Sequence, residues 1–312
     1  MLTLALAAPP ISACARALLD VVRANNNAAA AAASARAFVV DGTTVGRVLP
    51  KSAAALGRYA IFDVSEEAIT LRGDAGATLE ERSKAVTEVI CDLRAEGSVP
   101  MLDGWRDEAF AVRTSFFASP SLVVERAAAG LFGAPAYGVF VNCYTEGADG
   151  RPASMWLARR AKSKPTWPGL LDCLAAGGMA AGEMPLGAIR TEAAEEAGVP
   201  PRLAGAIQPA GGVCYTGFDE TGWALKRDVL YTFDLRCGDD FVPRAVDGEV
   251  EEFSLTPMDE VARLVERQAG ERLFKPNVAV VIADFLLRRG FVSPDDDGYL
   301  ELLAELRNAE LR

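Results

Sequence analysis

The chain has 312 residues, half of them hydrophobic, with a formal net charge of −11 and no histidine. This composition allows a sizeable core in one large domain or two ordinary ones, and it argues against disorder and against tracking of a nucleic-acid backbone. The lack of histidine excludes a Ser-His-Asp or Cys-His triad and a His-ligated zinc site, so carboxylates, Lys, Tyr or a metal-bound water must carry any proton chemistry.

The N-terminal residues 1–36 predict a helix at about Ile11–Asn25, followed by a flexible tether in the stretch "NNNAAAAAA". No apolar run reaches the length of a membrane span, so no membrane partner is expected. Six scattered cysteines without a CxxC pair indicate reduced thiols. We therefore expect a cytoplasmic location, with an organelle transit segment at the N-terminus as the alternative.

Residues 37–133 predict a small α+β domain. A hairpin turns at Asp41-Gly42, and a strand-turn-strand unit follows in "AIFDVSEEAITLRG". Thr78–Gly97 predicts a helix whose Thr78 and Glu81 form a capping box. The stretch Pro120–Gly133 predicts a shorter helix, and we place the domain boundary near Gly133.

Residues 134–312 predict a second domain of long strands and helices. Strands are predicted in "AYGVFVNCYTE", "ASMWLARRA", "LLDCLAAGGM", "IQPAGGVCYTG", "WALKRDVLYTFDLR" and "GEVEEFSL". Helices are predicted from about Pro185 and in "PMDEVARLVERQ", "NVAVVIADFLLRRG" and "GYLELLAELRNAE". This alternation predicts the α/β class.

The helix after Pro185 carries three clustered glutamates, Glu192, Glu195 and Glu196, with no Lys or Arg between them. Like charges four residues apart cost a helix about 0.2–0.5 kcal/mol per pair. Leu186, Ile189, Ala193 and Ala197 form an apolar stripe, and we expect the glutamates to face away from it. Clustered oxygen ligands favour Mg²⁺ or Mn²⁺, and such ions usually bridge to substrate phosphates.

The spacing Gly177–x5–Glu183–x7–Thr191–Glu192–Ala193–x–Glu195–Glu196–x–Gly198 resembles the Nudix box, with Thr191 where the family has Arg. The stretches "RAKSKPTWPGLLDCLAAGG", "DGEVEEFSL" and "FKPNVAVVIADFLLRRG" are similar to the thiamine-pyrophosphokinase-related Nudix hydrolases. The resemblance implies a Nudix α/β/α sandwich with a mixed β-sheet, preceded by a small α+β domain. The N-terminal domain is expected to form one wall of the pocket or a dimer contact.

What the resemblance implies for the site is a divalent metal bound by box carboxylates. Glu192 and Glu196 are the expected metal ligands, and Glu195 is a ligand or positions water. The Gly177 carbonyl and a carboxylate outside the box complete the set; Glu249 and Glu251 are the candidates, and we select Glu251. A solvated strand face is the alternative for both.

Substrate contacts are assigned to basic and aromatic residues near the box. Lys164, Lys226 and Arg227 are expected to offset phosphate charge, although solvated positions would explain each of them. Trp167 is expected to stack on a substrate ring, with a packing role as the alternative.

The activity implied is Mg²⁺-dependent hydrolysis of a thiamine diphosphate-like substrate, including damaged oxo- and oxythiamine forms, to the monophosphate and phosphate, which would be metabolite repair. Another nucleoside diphosphate derivative, such as ADP-ribose or a dinucleotide, is one alternative, and a non-catalytic diphosphate-binding module is another. No GK[ST] phosphate loop is present, so no thiamine pyrophosphokinase activity is expected. A homodimer is possible on this interpretation.

Overall fold

A computed structural model describes residues 13–218 and 221–308 of the chain. The first two residues of the predicted N-terminal helix, and the rest of the possible transit segment up to residue 12, lie outside the described residues. Helix α1 spans Ala15–Asn25 and α2 spans Ala29–Ala33. Among the described residues, no helix is both long and apolar enough to cross a membrane.

The predicted flexible tether is wrong, because the chain after α1 is held against a strand. The side-chain oxygens of Asn26 and Asn27 accept hydrogen bonds from the backbone N–H groups of Thr216 and Phe218, at 3.0 and 2.7 Å. The alanine run then forms the short helix α2. The apolar face of α1 is buried in the same core cluster as the C-terminal helices, so this segment belongs to the body of the molecule.

The N-terminal module is built on a four-stranded sheet in the order β2-β1-β4-β3. Its elements are β1 (Arg36–Val40), β2 (Thr43–Val48), α3 (Pro50–Leu56), β3 (Phe62–Val64), β4 (Ala68–Leu71) and α4 (Leu79–Ala95). Both predicted strand pairs are confirmed. The capping box of α4 is confirmed as well: the Thr78 hydroxyl accepts from the Glu81 N–H and the Glu81 carboxylate accepts from the Thr78 N–H.

The helix predicted for Pro120–Gly133 is wrong over its first half. Leu122–Glu125 is strand β6, paired with β5 (Ala109–Val112). A 3₁₀ turn and the four-residue helix α5 (Ala129–Phe132) follow. The two valines of "LVVE" adopt the extended conformation because β5 is available as a partner strand. The helix-favouring alanines that follow them led to the prediction of a helix.

The C-terminal region forms a mixed sheet in the order β11-β12-β7-β8-β13, with β10 beside β7 and β9 beside β8. The strands are β7 (Pro135–Glu146), β8 (Pro152–Arg160), β9 (Leu171–Asp172), β10 (Ala175–Gly178), β11 (Gln208–Phe218), β12 (Leu225–Arg236) and β13 (Val250–Pro257). The pairing of β7 with β12 is parallel and the other pairings are antiparallel.

Helices cover both faces of this sheet. They are α6 (Pro185–Ala197), α7 (Pro201–Ala204), α8 (Met258–Glu271), α9 (Pro276–Arg288) and α10 (Tyr299–Glu305). Successive residues of β7 alternate between the faces: Val139 and Val141 pack with α6, whereas Phe140 and Tyr144 pack with α1, α8, α9 and α10. The predicted α/β/α sandwich with a mixed sheet is confirmed.

The N-terminal module has a separate hydrophobic cluster, which includes Phe38, Ile90 and Phe132. Trp223, from the C-terminal region, also packs into it. The change of cluster along the chain lies a few residues after Gly133, which has φ +53 and so close an approach to the Arg47 carbonyl that a side chain would overlap it. These features support the proposed division into residues 37–133 and 134–312.

Candidate functional site

The carboxylate of Glu192 lies directly over Gly177 of β10. A Cβ built on Gly177 would overlap the carboxylate and would lie 2.8 Å from the Glu192 Cγ. Gly177 in turn pairs with Val139 of β7, so the strand position is fixed by the sheet. Glycine is therefore required here for Glu192 to approach the end of β10.

Glu196 follows Glu192 by one helical turn and faces the same strand. Its carboxylate accepts a hydrogen bond of 3.0 Å from the Ala176 N–H, and the residue is buried. The predicted stripe of Ile189, Ala193 and Ala197 is buried as expected, but Glu196 lies beside it rather than facing away. Because β10 ends at the glycine pair, the helix can turn two of its glutamates inward and leave Glu195 exposed.

Glu192 and Glu196 have more acidic than basic neighbours, so their negative charges are poorly compensated. Burial, followed by the charges of Glu195, Glu249 and Glu183, raises the pKa of Glu192 to about 7, whereas the charge of Arg126 opposes this shift. Burial, followed by the charge of Asp172, raises the pKa of Glu196 to about 9, whereas the hydrogen bond from the Ala176 N–H lowers it. Buried carboxylates with more acidic than basic neighbours favour either a proton or a bound cation.

The carboxylate outside the box that approaches this pair is Glu249, not Glu251. Glu249 acts electrostatically on both Glu192 and Glu196, and it forms an ion pair with Lys164. Burial would raise the pKa of Glu249, but the hydrogen bond and charge of Lys164 lower it overall. Glu251 instead lies 3.8 Å from the exposed Lys162, because a bulge interrupts the pairing of β13 with β8 between Val250 and Glu252.

The donor chemistry fits a hard divalent cation, although the side chains are not gathered around a single point. Within residues 13–218 and 221–308, no three acidic, Cys or His side chains converge as a metal site. Glu192, Glu196 and Glu249 nevertheless supply oxygen donors whose repulsion a cation would neutralise. The Gly177 carbonyl lies beside Gly138 of β7.

A basic cavity of about 340 Å³ opens where the N-terminal module meets the C-terminal sheet. Gly177 and Gly178 form part of its wall. Phe140 and Leu230 place the cavity along the sheet face opposite α6, and Tyr137 and Met179, which pack with the α6 cluster, line its rim as well. Its charged lining residues are Arg106, Arg126, Lys226, Arg227, Lys275 and Asp228.

The structure brings some of the predicted substrate residues together. Lys226 and Arg227 line the basic cavity. Lys164 lies near the box carboxylates because it forms an ion pair with Glu249. Trp167 lines a second cavity of about 500 Å³. The two cavities share Lys226, Asp228, Lys275 and Asn277.

The sequence analysis missed four charged residues of the basic cavity: Arg106, Arg126, Lys275 and Asp228. Lys275 stands in "FKPNVAVV", and Asp228 follows Lys226 and Arg227, so each had a nearby signal. Arg126 had none, because it reaches the site only through the packing of the two regions.

Comparison with known families and proteins agrees with this geometry. Residues 17–136 match the "Domain of unknown function (DUF4743)" and residues 136–277 match the "NUDIX domain". The match to this domain, together with the sandwich and the glycine-carboxylate corner, defines residues 136–277 as a Nudix domain.

Two relatives show how far the similarity extends. The chain is 42% identical to "Nudix hydrolase 20, chloroplastic" of Arabidopsis thaliana over 74% of its own length and 59% of that protein. It is 32% identical to "Uncharacterized protein YJR142W" of Saccharomyces cerevisiae, over 73% of its own length and 68% of that protein. The chain thus spans less than two thirds of the Arabidopsis relative's length.

Among solved structures, DR0079 from Deinococcus radiodurans is similar at 20% identity with a TM-score of 0.36. The match covers 49% of this chain and 82% of that one.

Proposed function

We propose that this chain is a Mg²⁺- or Mn²⁺-dependent Nudix hydrolase that cleaves the phosphoanhydride of a small diphosphate. The supporting observation is the Gly177–Gly178 segment, which has the carboxylates Glu192 and Glu196 on one side and a basic cavity on the other. Negative groups beside positive ones suit a reaction in which a cation and a diphosphate must meet. The Nudix family match supports the same class of activity.

In this proposal Glu192, Glu196 and Glu249 hold the cation, with the Gly177 carbonyl as a further donor. The bound metal supplies charge neutralisation at the phosphates and lowers the pKa of water. Glu195, exposed on the same helix, positions the attacking water. Water adds to phosphorus as the P–O–P bond breaks, giving a monophosphate and phosphate.

The cavity cations bind and orient the diphosphate. Lys226 and Arg227 line the cavity with Lys275, and each can offset phosphate charge that would otherwise repel the attacking oxygen. Arg227 is buried and donates a hydrogen bond of 3.4 Å to the Gly133 carbonyl, which ties the cavity wall to the junction of the two regions.

We propose a thiamine diphosphate-like substrate, including its damaged oxo and oxy forms, which would make the chain a metabolite-repair enzyme. The resemblance to thiamine-pyrophosphokinase-related Nudix hydrolases is the basis. The second cavity adds support, because Trp167 and Asp228 offer an aromatic face and a carboxylate to a cationic ring. ADP-ribose or a dinucleotide is the alternative substrate, and binding without catalysis is the alternative function.

A phosphate-release assay over a panel of diphosphates separates these alternatives. Thiamine, oxothiamine and oxythiamine diphosphates, ADP-ribose and a dinucleotide would each be incubated with Mg²⁺, Mn²⁺ or chelator. We expect the highest kcat/KM for an oxidised thiamine diphosphate, only with metal. A higher value for ADP-ribose would move the substrate to the nucleoside derivatives, and tight binding without turnover would favour the binding module.

We also propose that the protein is cytoplasmic and that it has no nucleic-acid partner. The name of the Arabidopsis relative, which includes the word chloroplastic, supports the organellar alternative. A fluorescent fusion of the whole protein would decide between the two locations.

We also propose a homodimer, which light scattering after gel filtration would test against a 33.0 kDa monomer. Thiamine phosphorylation by ATP is not expected, and its detection would contradict that.

A further inference from the structure

One arginine of the N-terminal module reaches the glycine pair of the C-terminal sheet. Arg126 begins the 3₁₀ turn directly after β6. A Cβ built on Gly178 would overlap its guanidinium group and would lie 3.0 Å from Nη1. The guanidinium group therefore packs against the backbone of Gly178, in space that any other residue would fill.

Arg126 and Glu192 occupy opposite faces of the same short strand. Glu192 lies over Gly177 and Arg126 over Gly178, and successive residues of a strand point to opposite faces. Only glycine backbone separates them. Arg126 stabilises the charged form of Glu192 on one side and of Asp228, inside the cavity, on the other.

The box helix provides no such cation. Thr191 has no charge, and the Arg190 Nε donates to the Ala204 carbonyl at 3.2 Å, toward α7. Arg126 lines the basic cavity at the segment that adjoins the carboxylates. Since the charge of Arg126 also acts on Glu192, a phosphate bound to Arg126 would lie at the side of the cavity that adjoins the box carboxylates.

The guanidinium group is held at one end and available at the other. Its Nη1 donates to Glu108 at 2.5 Å, and the Arg126 side chain is 36% exposed. In the part of the chain that the structure describes, Nη2 makes no hydrogen bond to protein. A planar guanidinium with a free edge suits a phosphate, which accepts two parallel N–H bonds.

We propose that Arg126 binds the substrate's diphosphate at the Gly178 end of the basic cavity, so that the N-terminal module supplies part of the active site. The inference rests on the proposed function for the identity of the ligand. Glu108 holds the guanidinium group in place and is not itself a phosphate contact.

Calorimetric titration with methylenediphosphonate, a diphosphate analogue that cannot be hydrolysed, tests this with Mg²⁺ present. R126Q should weaken binding by about 10- to 100-fold, the range for a lost charged hydrogen bond. R126K should fall between R126Q and wild type. R58Q is the matched control: Arg58 is also an ion-paired arginine of the N-terminal module, it lies outside the cavity, and its loss should leave binding unchanged.

E108Q separates binding from structure. A purely structural role of the Arg126–Glu108 pair predicts that E108Q and R126Q weaken binding equally, and that result would overturn the inference. Wild-type affinity in R126Q would also overturn it. If R126Q does not fold, the comparison of R126K with E108Q decides by the same criterion. Because binding is measured without turnover, a wild type that binds the analogue but hydrolyses nothing refutes the proposed function and leaves this test intact.

Discussion

The carboxylate of Glu192 occupies the space where the side chain of Gly177 would be, with the Glu192 Cγ 2.8 Å from that position. This contact joins the box helix to the sheet and places Glu192 at the end of β10. A single methyl group at Gly177 would move the carboxylate.

We therefore expect G177A to lower kcat by on the order of 100-fold, the cost of misplacing a catalytic group by about 1 Å. The control is G187A, on the same helix, where an added Cβ meets nothing within 4 Å. G187A should retain activity, since alanine is the better helix former. Measured kcat values that match in the two variants would contradict the contact.

The buried Glu196 predicts a pH dependence of stability in the metal-free protein. Its pKa is about 9 in the fold and near the ordinary 4.5 when unfolded. The folded state thus binds the proton more tightly, so the stabilising contribution is full below about pH 4.5 and is lost as pH rises through about 9. E196Q should become progressively more stable than wild type across that range, while losing activity.

Thermal unfolding in chelator at several pH values between 5 and 9 measures this. E88Q, at an exposed position of α4 outside the site, is the control and should leave the pH dependence of wild type unchanged. A stability difference between E196Q and wild type that stays constant with pH would show that Glu196 does not titrate as described.

Glu249 and Glu251 provide a matched pair two residues apart. Since Glu249 acts on Glu192 and Glu196 whereas Glu251 lies near the exposed Lys162, we expect E249Q to weaken metal-dependent activity by about 10- to 100-fold. E251Q should stay near wild type. Activity titrated against Mg²⁺ concentration checks both variants; a larger loss in E251Q would restore our selection from the sequence.

A buried ion network on α9 stabilises the C-terminal helices. Asp284 is fully buried and accepts from the Arg288 Nε at 2.7 Å and the Arg307 Nη2 at 2.5 Å. Removing the carboxylate takes one partner from Arg307 and one from Arg288, which keeps its pair with Asp234, so D284N should cost about 2–4 kcal/mol of unfolding free energy. D259N, which breaks an exposed pair with Arg263, should cost under about 0.5 kcal/mol in the same urea titration. Equal costs would show that burial of Asp284 does not matter.

Local patterns predicted the elements of this fold well. The capping box at Thr78, the Asp41-Gly42 hairpin and the box helix after Pro185 depend on neighbouring residues, and all three are confirmed. The errors arose where contacts with residues distant in the chain determine the local structure. Leu122–Glu125 is a strand only because β5 lies beside it, and the alanine run is held through contacts of Asn26 and Asn27 with β11.

The site was predictable to the same extent. The spacing selected Gly177 and the three glutamates as candidates, but it did not predict that Glu196 turns inward to the Ala176 N–H. Because of the bulge in β13, Glu249 lies near the box carboxylates instead of Glu251, which we selected from the sequence. Nothing near Arg126 in the chain indicates that its side chain reaches Gly178. Period and spacing describe one element, whereas these features depend on how elements pack.

The most direct measurement of the central claim is release of phosphate from an oxidised thiamine diphosphate by wild type and by E192Q, each with saturating Mg²⁺ and with chelator. The account predicts turnover by wild type with Mg²⁺, none with chelator, and a loss of several orders of magnitude in E192Q. Turnover that persists in chelator, or that E192Q retains, would contradict a metal-dependent hydrolase built on these carboxylates.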